Sequence, residues 1–168
     1  NSHSITMTKS YPKRYIPKQL SKSDVAKQYK QLQKSKRMYK NKKYHTRKKV
    51  ASFKNKKSSH VERAKKMYDI DSIKPSIALA KKTKCSFKSL REIERKGQGA
   101  YYSSGSRPNQ TATSWGRARL ASSITGGKSS AIDYHILEKG CKKNSRALKL
   151  AKKMRGKGTR RVPKRKKL

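Results

Sequence analysis

Acidic residues are scarce in this chain: 8 Asp and Glu stand against 49 Lys and Arg in 168 residues, a formal charge of +41. That deficit excludes one ordinary compact core. Like charge repels itself as a body shrinks, so part of the chain is expected to stay extended until a polyanion supplies counter-charge. Apolar residues are also few, at 31%. No run approaches the ~18 apolar residues that cross a bilayer, and no charged start leads into the apolar stretch of a signal peptide. The chain therefore reads as soluble and intracellular by origin. Cysteine is limited to Cys85 and Cys141, too few for the disulfide scaffold of a small secreted domain, so free buried thiols in a reduced compartment are the expectation. The chain opens at Asn1, and Met7 begins Met7-Thr8-Lys9-Ser10; the first six residues are assigned no function.

Catalytic equipment is equally thin. Between Ser76 and Met154 the acids are Glu92, Glu94, Asp133 and Glu138. The last two flank His135 but stand five residues apart and do not share a helix face, while Glu92 and Glu94 suit a solvated helix that tempers the basic field. No nucleophile-elbow pattern occurs. Cys85, His135 and Cys141 lack a CxxC pair and a second nearby histidine, so the spacing of a structural zinc site is missing. Enzyme and metal readings are therefore the weaker ones, and no cofactor is expected.

What the chain has is a partition of charge. Residues 1–74 hold 23 basic and 4 acidic residues with tyrosines at 11, 15, 29, 39, 44 and 68, and read as a basic arm with short helices. Ser21 begins one, with Asp24 suited to the positive end of the helix dipole and Val25, Tyr29 and Leu32 forming a narrow apolar stripe. Lys40 to Lys57 brackets Tyr44 and Phe53 with Lys42, Lys43, Arg47, Lys48, Lys49, Lys56 and Lys57, and is expected to be extended or disordered when unbound. Ser59 begins a second helix that carries Val61, Ala64 and Tyr68 to the break at Asp69, and Pro75 marks a boundary.

Residues 75–154 read as a small, mostly helical module. Its least basic part, Gly97 to Glu138, carries six of the nine glycines and only Arg107, Arg117, Arg119 and Lys128 as cations. One helix is expected from Ser86 through Phe87, Leu90 and Ile93 to Gly97, and another from Ser114 through Trp115, Ala118, Ala121 and Ile124 to Gly126-Gly127. A third is expected from about Ser129 to Gly140, and a last is capped by Asn144. Glycine past an apolar run suits a left-handed C-cap. Residues 155–168 read as a basic tail with Arg160, Arg161, Lys164, Arg165, Lys166 and Lys167. The fold class is thus mainly α: a small helical module with a glycine-rich loop, a long basic extended or helical N-terminal arm, and a basic C-terminal tail.

The segment Gly97 to Thr111 offers the candidate site. Its glycines and hydroxyls could present amides to an anion, closed by Arg107 beside Asn109 and Gln110, and it runs into a helix N-terminus. It has neither Walker nor GxGxxG spacing. The alternative is a structured turn that packs Tyr101 and Tyr102 on the core. Trp115 between Ser114 and Arg117 reads either as a stacking platform flanked by Arg117 and Arg119 or, more economically, as a core anchor. Lysine outnumbers arginine in the arm, which favours point-charge neutralisation over bidentate base readout.

The runs Gly97-Gln-Gly-Ala-Tyr-Tyr-Ser-Ser-Gly-Ser-Arg-Pro-Asn-Gln-Thr111, Ser114-Trp-Gly-Arg-Ala-Arg-Leu-Ala-Ser122 and Gly126-Gly-Lys-Ser-Ser-Ala-Ile-Asp-Tyr-His-Ile-Leu137 resemble an uncharacterised basic domain family of nucleocytoplasmic large DNA viruses of the chlorovirus kind. The resemblance extends from Tyr15-Ile-Pro-Lys18 to Lys152, through Tyr44-His-Thr-Arg-Lys-Lys-Val50 and Leu79-Ala-Lys-Lys-Thr-Lys-Cys85. It carries no activity to particular residues. It implies a context: an icosahedral shell over an internal membrane, around a long DNA, with anionic inner surfaces. A minor capsid protein on the inner side of the virion would use its arms on major and minor capsid proteins, on viral DNA or on the anionic inner membrane, with no small-molecule substrate. The alternatives are a DNA-condensing core protein, a nucleotide-pocket enzyme, or a ribosomal-protein-like RNA binder.

Overall fold

A computed structural model describes residues 10–157 and the backbone of Arg165–Lys166. The segment around Met7 and the tail residues Arg160, Arg161, Lys164 and Lys167 lie outside the described residues. The fold is mainly α, with helices α1 (Lys22–Lys40), α2 (Ser59–Tyr68), α3 (Ile77–Thr83), α4 (Phe87–Ser103), α5 (Ala112–Ile124), α6 (Lys128–Ile132), α7 (Tyr134–Gly140) and α8 (Arg146–Gly156). Two-residue strands β1 (Tyr11–Pro12) and β2 (Arg165–Lys166) pair antiparallel, Tyr11 opposite Lys166. The chain divides into two compact units, one made of residues 1–55, 102–111 and 161–168, the other of 56–101 and 112–160.

In the first unit, α1 begins where expected. Ser21 is extended and its hydroxyl accepts the amide of Asp24 at 3.2 Å, satisfying one of the orphan donors of the first turn. Tyr29 and Leu32 turn inward with Tyr11, Tyr15, Ile16, Leu20 and Val50. Gln28 is buried and donates to the Tyr15 carbonyl at 3.1 Å. The stretch after α1, expected to be extended or disordered when unbound, is irregular but anchored. Val50 is only 2% exposed, and the side chain of Asn109 clamps it: the Val50 amide donates to Oδ1 at 2.8 Å, and Nδ2 donates to the carbonyls of Val50 (3.1 Å) and Phe53 (2.9 Å). Asn109 holds a left-handed backbone, φ 63°, which asparagine tolerates better than most residues.

The second unit contains one continuous core, from Ala64 and Tyr68 on α2 through Leu79, Leu90, Ile93, Leu120, Ile124 and Leu137 to Leu148 and Ala151 on α8. Its architecture differs from the sequence reading at several places: α3 was not expected, and α5 begins at Ala112, ahead of Ser114. The helix expected to close at Gly97 continues to Ser103, because Gly97 is a packing residue: a Cβ there would stand 2.7 Å from the Gly116 Cα, and one on Gly116 would stand 2.6 Å from the Glu94 carbonyl oxygen. The two glycines let α4 and α5 touch backbone to backbone. The helix expected from Ser129 to Gly140 is split at Asp133, whose carboxylate is fully buried. Arg119 grips it with Nε at 3.0 Å and Nη2 at 2.7 Å, and Ser123 donates at 2.8 Å. Ser145, not Asn144, caps α8.

The expectation of free thiols is overturned. Cys85 and Cys141 form a disulfide across 56 residues. The short segments after α3 and α7 run antiparallel, with the Ser86 amide on the Gly140 carbonyl (2.8 Å) and the Lys142 amide on the Lys84 carbonyl (2.9 Å). Those two bonds flank a pair of residues whose side chains face each other closely.

Candidate polyanion-binding surface

The first unit contains 23 Lys and Arg and a single acid, Asp24. That carboxylate is engaged within the fold, accepting the Ser52 amide at 2.9 Å and the Ser52 hydroxyl at 2.5 Å. These bonds stabilise the charged form and lower its pKa. Nothing else in the unit offsets its cations. Along α1, Lys22, Lys27, Lys30, Lys34, Arg37 and Lys40 are exposed, and beyond it so are Lys42, Lys43, Lys48, Lys49 and Lys54. Lys30, Lys34 and Arg37 edge an open depression of about 470 Å³ with Tyr29, Gln31 and Gln33. His45 registers the resulting field. Its ring contacts the Gln31 Oε1 at 2.8 Å, and its pKa is lowered, first by burial and then by the positive charges of Lys34, Arg47 and Lys48.

The end of α1 has a particular geometry. The Lys43 amide reaches back to the Met38 carbonyl (2.9 Å) and the Lys42 amide to that of Tyr39 (3.0 Å), the paired bonds of a Schellman motif. Its left-handed position, ordinarily glycine, is Lys42 at φ 58°. The turn brings Tyr44 back to Tyr39, ring centroids 6.2 Å apart, and both meet Tyr102: Tyr39 and Tyr102 are stacked at 6.3 Å with planes 10° apart, and Tyr44 tilts against Tyr102 at 5.1 Å. Tyr44 is 69% exposed and Tyr39 37%.

In the second unit the cations of α4 and α8, among them Arg91, Arg95, Lys96, Lys149, Lys152 and Lys153, are exposed. Several of the acids here are drawn into local contacts, while Asp69, Asp71 and Glu92 are exposed. Asp133 holds Arg119; Glu138 accepts the Tyr134 hydroxyl at 2.9 Å; Glu62 pairs with Lys65 at 3.7 Å. Glu94 is half-buried, which raises its pKa against the opposing charges of Arg117 and Arg91. Among the described residues, two ion pairs form, Lys65 with Glu62 and Arg119 with Asp133.

The residues singled out from sequence fall into different environments. Arg107 and Arg117 are exposed, and Gln110 and Trp115 half-buried. Asn109 is the clamp on Val50, Arg119 is committed to Asp133, and Tyr101 is fully buried. Arg47, expected on the solvated arm, is 6% exposed and donates to the hydroxyls of Ser35 (2.8 Å) and Ser106 (2.7 Å), so it serves as an internal tie. Lys42, Lys43, Lys48, Lys49, Lys56 and Lys57 are exposed as expected. The tyrosine trio was not anticipated. A signal existed in the spacing: two tyrosines bracketing Lys-Asn-Lys-Lys at the end of an amphipathic helix is a turn that returns the second ring to the first.

Residues 12–144 match the model of a family of unknown function (DUF5824), and the chain belongs to that family. No curated protein matches the chain, and no solved structure does. Among the described residues, no helix is long and apolar enough to cross a membrane.

Proposed function

We propose that this protein is a non-catalytic structural component of a large icosahedral DNA-virus particle, a minor capsid protein on the inner side of the shell. Its cationic exterior grips acidic faces of neighbouring capsid proteins or the anionic surfaces inside the particle. The observation that carries this reading is the first unit, where 23 cations accompany one acid and that acid is engaged by Ser52. Charge in such excess goes beyond what solubility requires and attracts polyanions at long range. The disulfide is compatible with residence in a mature particle, since disulfides persist on virions and outside the cell. The viral setting itself rests on the sequence resemblance.

A second reading, a genome-condensing core protein, is favoured by one observation: exposed tyrosine rings beside a lysine turn suit nucleic acid better than an acidic protein face. Both are tested by mass spectrometry of purified particles, followed by stepwise removal of membrane and DNA. Retention with the shell supports the minor capsid role, and loss with the DNA supports the condensing role. Absence from particles with presence on ribosomes overturns both in favour of RNA binding. In either role, log affinity for a polyanion should fall linearly with log salt, with a slope set by the number of phosphates neutralised.

A further inference from the structure

We infer that Tyr39, Tyr44 and Tyr102, with the lysine turn that joins the first two, form a site that stacks the unpaired bases of a single-stranded nucleic acid. The inference rests on the reading that the protein binds polyanions, and it names which polyanion this face takes. Three features argue for it together.

Tyr44 is presented rather than packed, and Tyr39 partly so. Tyr44 is 69% exposed and Tyr39 37%, although each meets Tyr102 at 5.1 Å and 6.3 Å. An aromatic surface that leaves ring faces open gains little from burial and offers a platform to another flat π-system.

Their setting is uniformly cationic. Lys40, Lys42 and Lys43 lie between the two tyrosines and are all exposed, and no acid occurs from Val25 to Val61 or from Tyr102 to Thr111. A purely apolar protein partner would have to desolvate these ammonium groups. Duplex nucleic acid supplies the phosphates, but its base faces are already stacked on one another. A single strand supplies both phosphate charge and free base faces, and is the ligand whose chemistry meets both halves of the site.

The backbone is held in a costly shape to make this arrangement. Lys42 occupies the left-handed position of the turn, where glycine would be easier. Residues kept in such conformations cluster at functional sites. A lysine there adds a third cation to the turn at the expense of backbone ease.

The test uses the full chain and fluorescence polarisation with two probes of about 16 nucleotides, an oligothymidylate and an abasic oligomer of the same backbone charge. Tyr44→Ala should weaken oligothymidylate binding about tenfold, the scale of one lost base stack, and leave abasic binding unchanged. Tyr44→Phe should retain wild-type affinity, because the ring face is kept. Lys42→Gly should weaken both probes alike and reduce the salt slope by about one ion, while raising thermal stability. Circular dichroism establishes that each variant is folded. Equal loss for both probes on Tyr44→Ala, or no loss for either, overturns the inference while leaving the polyanion reading intact. A duplex bound as tightly as the single strand, with the same indifference to Tyr44, does likewise. Failure of wild-type protein to bind any probe at low salt overturns the polyanion reading and the inference with it.

Discussion

Asn109 should be the residue on which the order of the first unit most depends. Three hydrogen bonds join its side chain to the segment after α1: one accepted from the Val50 amide and two donated to the carbonyls of Val50 and Phe53. A net contribution of about 1 kcal/mol per bond, discounted because the site is only half-buried, puts the loss at about 2–3 kcal/mol. Asn109→Ala would add the cost of a Cβ residue at φ 63°, so Asn109→Gly isolates the clamp by keeping the backbone relaxed. The assay is amide hydrogen exchange by NMR, read at Val50, whose amide donates to Oδ1. Protection there should fall about 30- to 150-fold, since about 1.4 kcal/mol is a factor of ten in an opening equilibrium. Amides in α8 belong to the other compact unit and serve as the internal reference, staying within a factor of about two if each unit opens cooperatively by itself. If Asn109→Gly leaves Val50 protection unchanged, the clamp is ornamental and Val50 is held by its burial alone.

Three further outcomes follow from other contacts. Replacing Cys85 and Cys141 together by serine should cost about 4 kcal/mol by loop-closure entropy over the 56-residue separation, and a chemical denaturation curve that did not move would refute the bridge as a stabiliser. Burial raises the Tyr68 phenol from 10.0 to about 12 while its hydroxyl donates to the Ile124 carbonyl. A raised folded-state pKa means that this contribution, about 2–3 kcal/mol, is complete below pH 10 and is lost as pH climbs through the 10–12 window. Tyr68→Phe should remove that alkaline slope in pH-dependent unfolding. His45 should report ligand binding: a polyanion that neutralises Lys34 and Lys48 relieves the Coulombic part of its depression, so its NMR-titrated pKa should rise towards the ordinary value, whereas an unmoved value would place the ligand elsewhere.

Local signals were legible in the sequence and distant ones were not. Ser21 and the helix after it could be read because a cap and an i, i+4, i+7 stripe lie within a dozen residues. Gly97 could not: a glycine ending a helix and a glycine admitting another helix are the same letter, and only Gly116 across the α4–α5 crossing distinguishes them. The break at Asp133 is likewise set by Arg119, 14 residues away, in a stretch whose apolar spacing alone describes one helix. Two cysteines 56 residues apart carry no sign of pairing, and neither composition nor spacing shows that short segments after α3 and α7 run side by side. For the candidate surface, excess charge was evident at once. Which cations remain outside was not, because burying Arg47 requires Ser106, 59 residues further along.

The first unit is assembled from pieces that the chain delivers at very different times. Ser35 donates to the Tyr102 carbonyl across 67 residues, and Val50 to Asn109 across 59, while the whole of α2, α3 and most of α4 is synthesised between. During translation the basic N-terminal stretch must therefore leave the ribosome and wait, without segment 102–111 until residue 111 has emerged and without β2, the partner of β1, until residue 166 has. Contacts of such long range are slow to form, and a waiting chain of this charge is surrounded by ribosomal RNA. The interleaved order of the two units thus creates a period in which nascent protein and polyanion compete for the same residues, a competition that narrows when segment 102–111 arrives and again when β2 reaches β1.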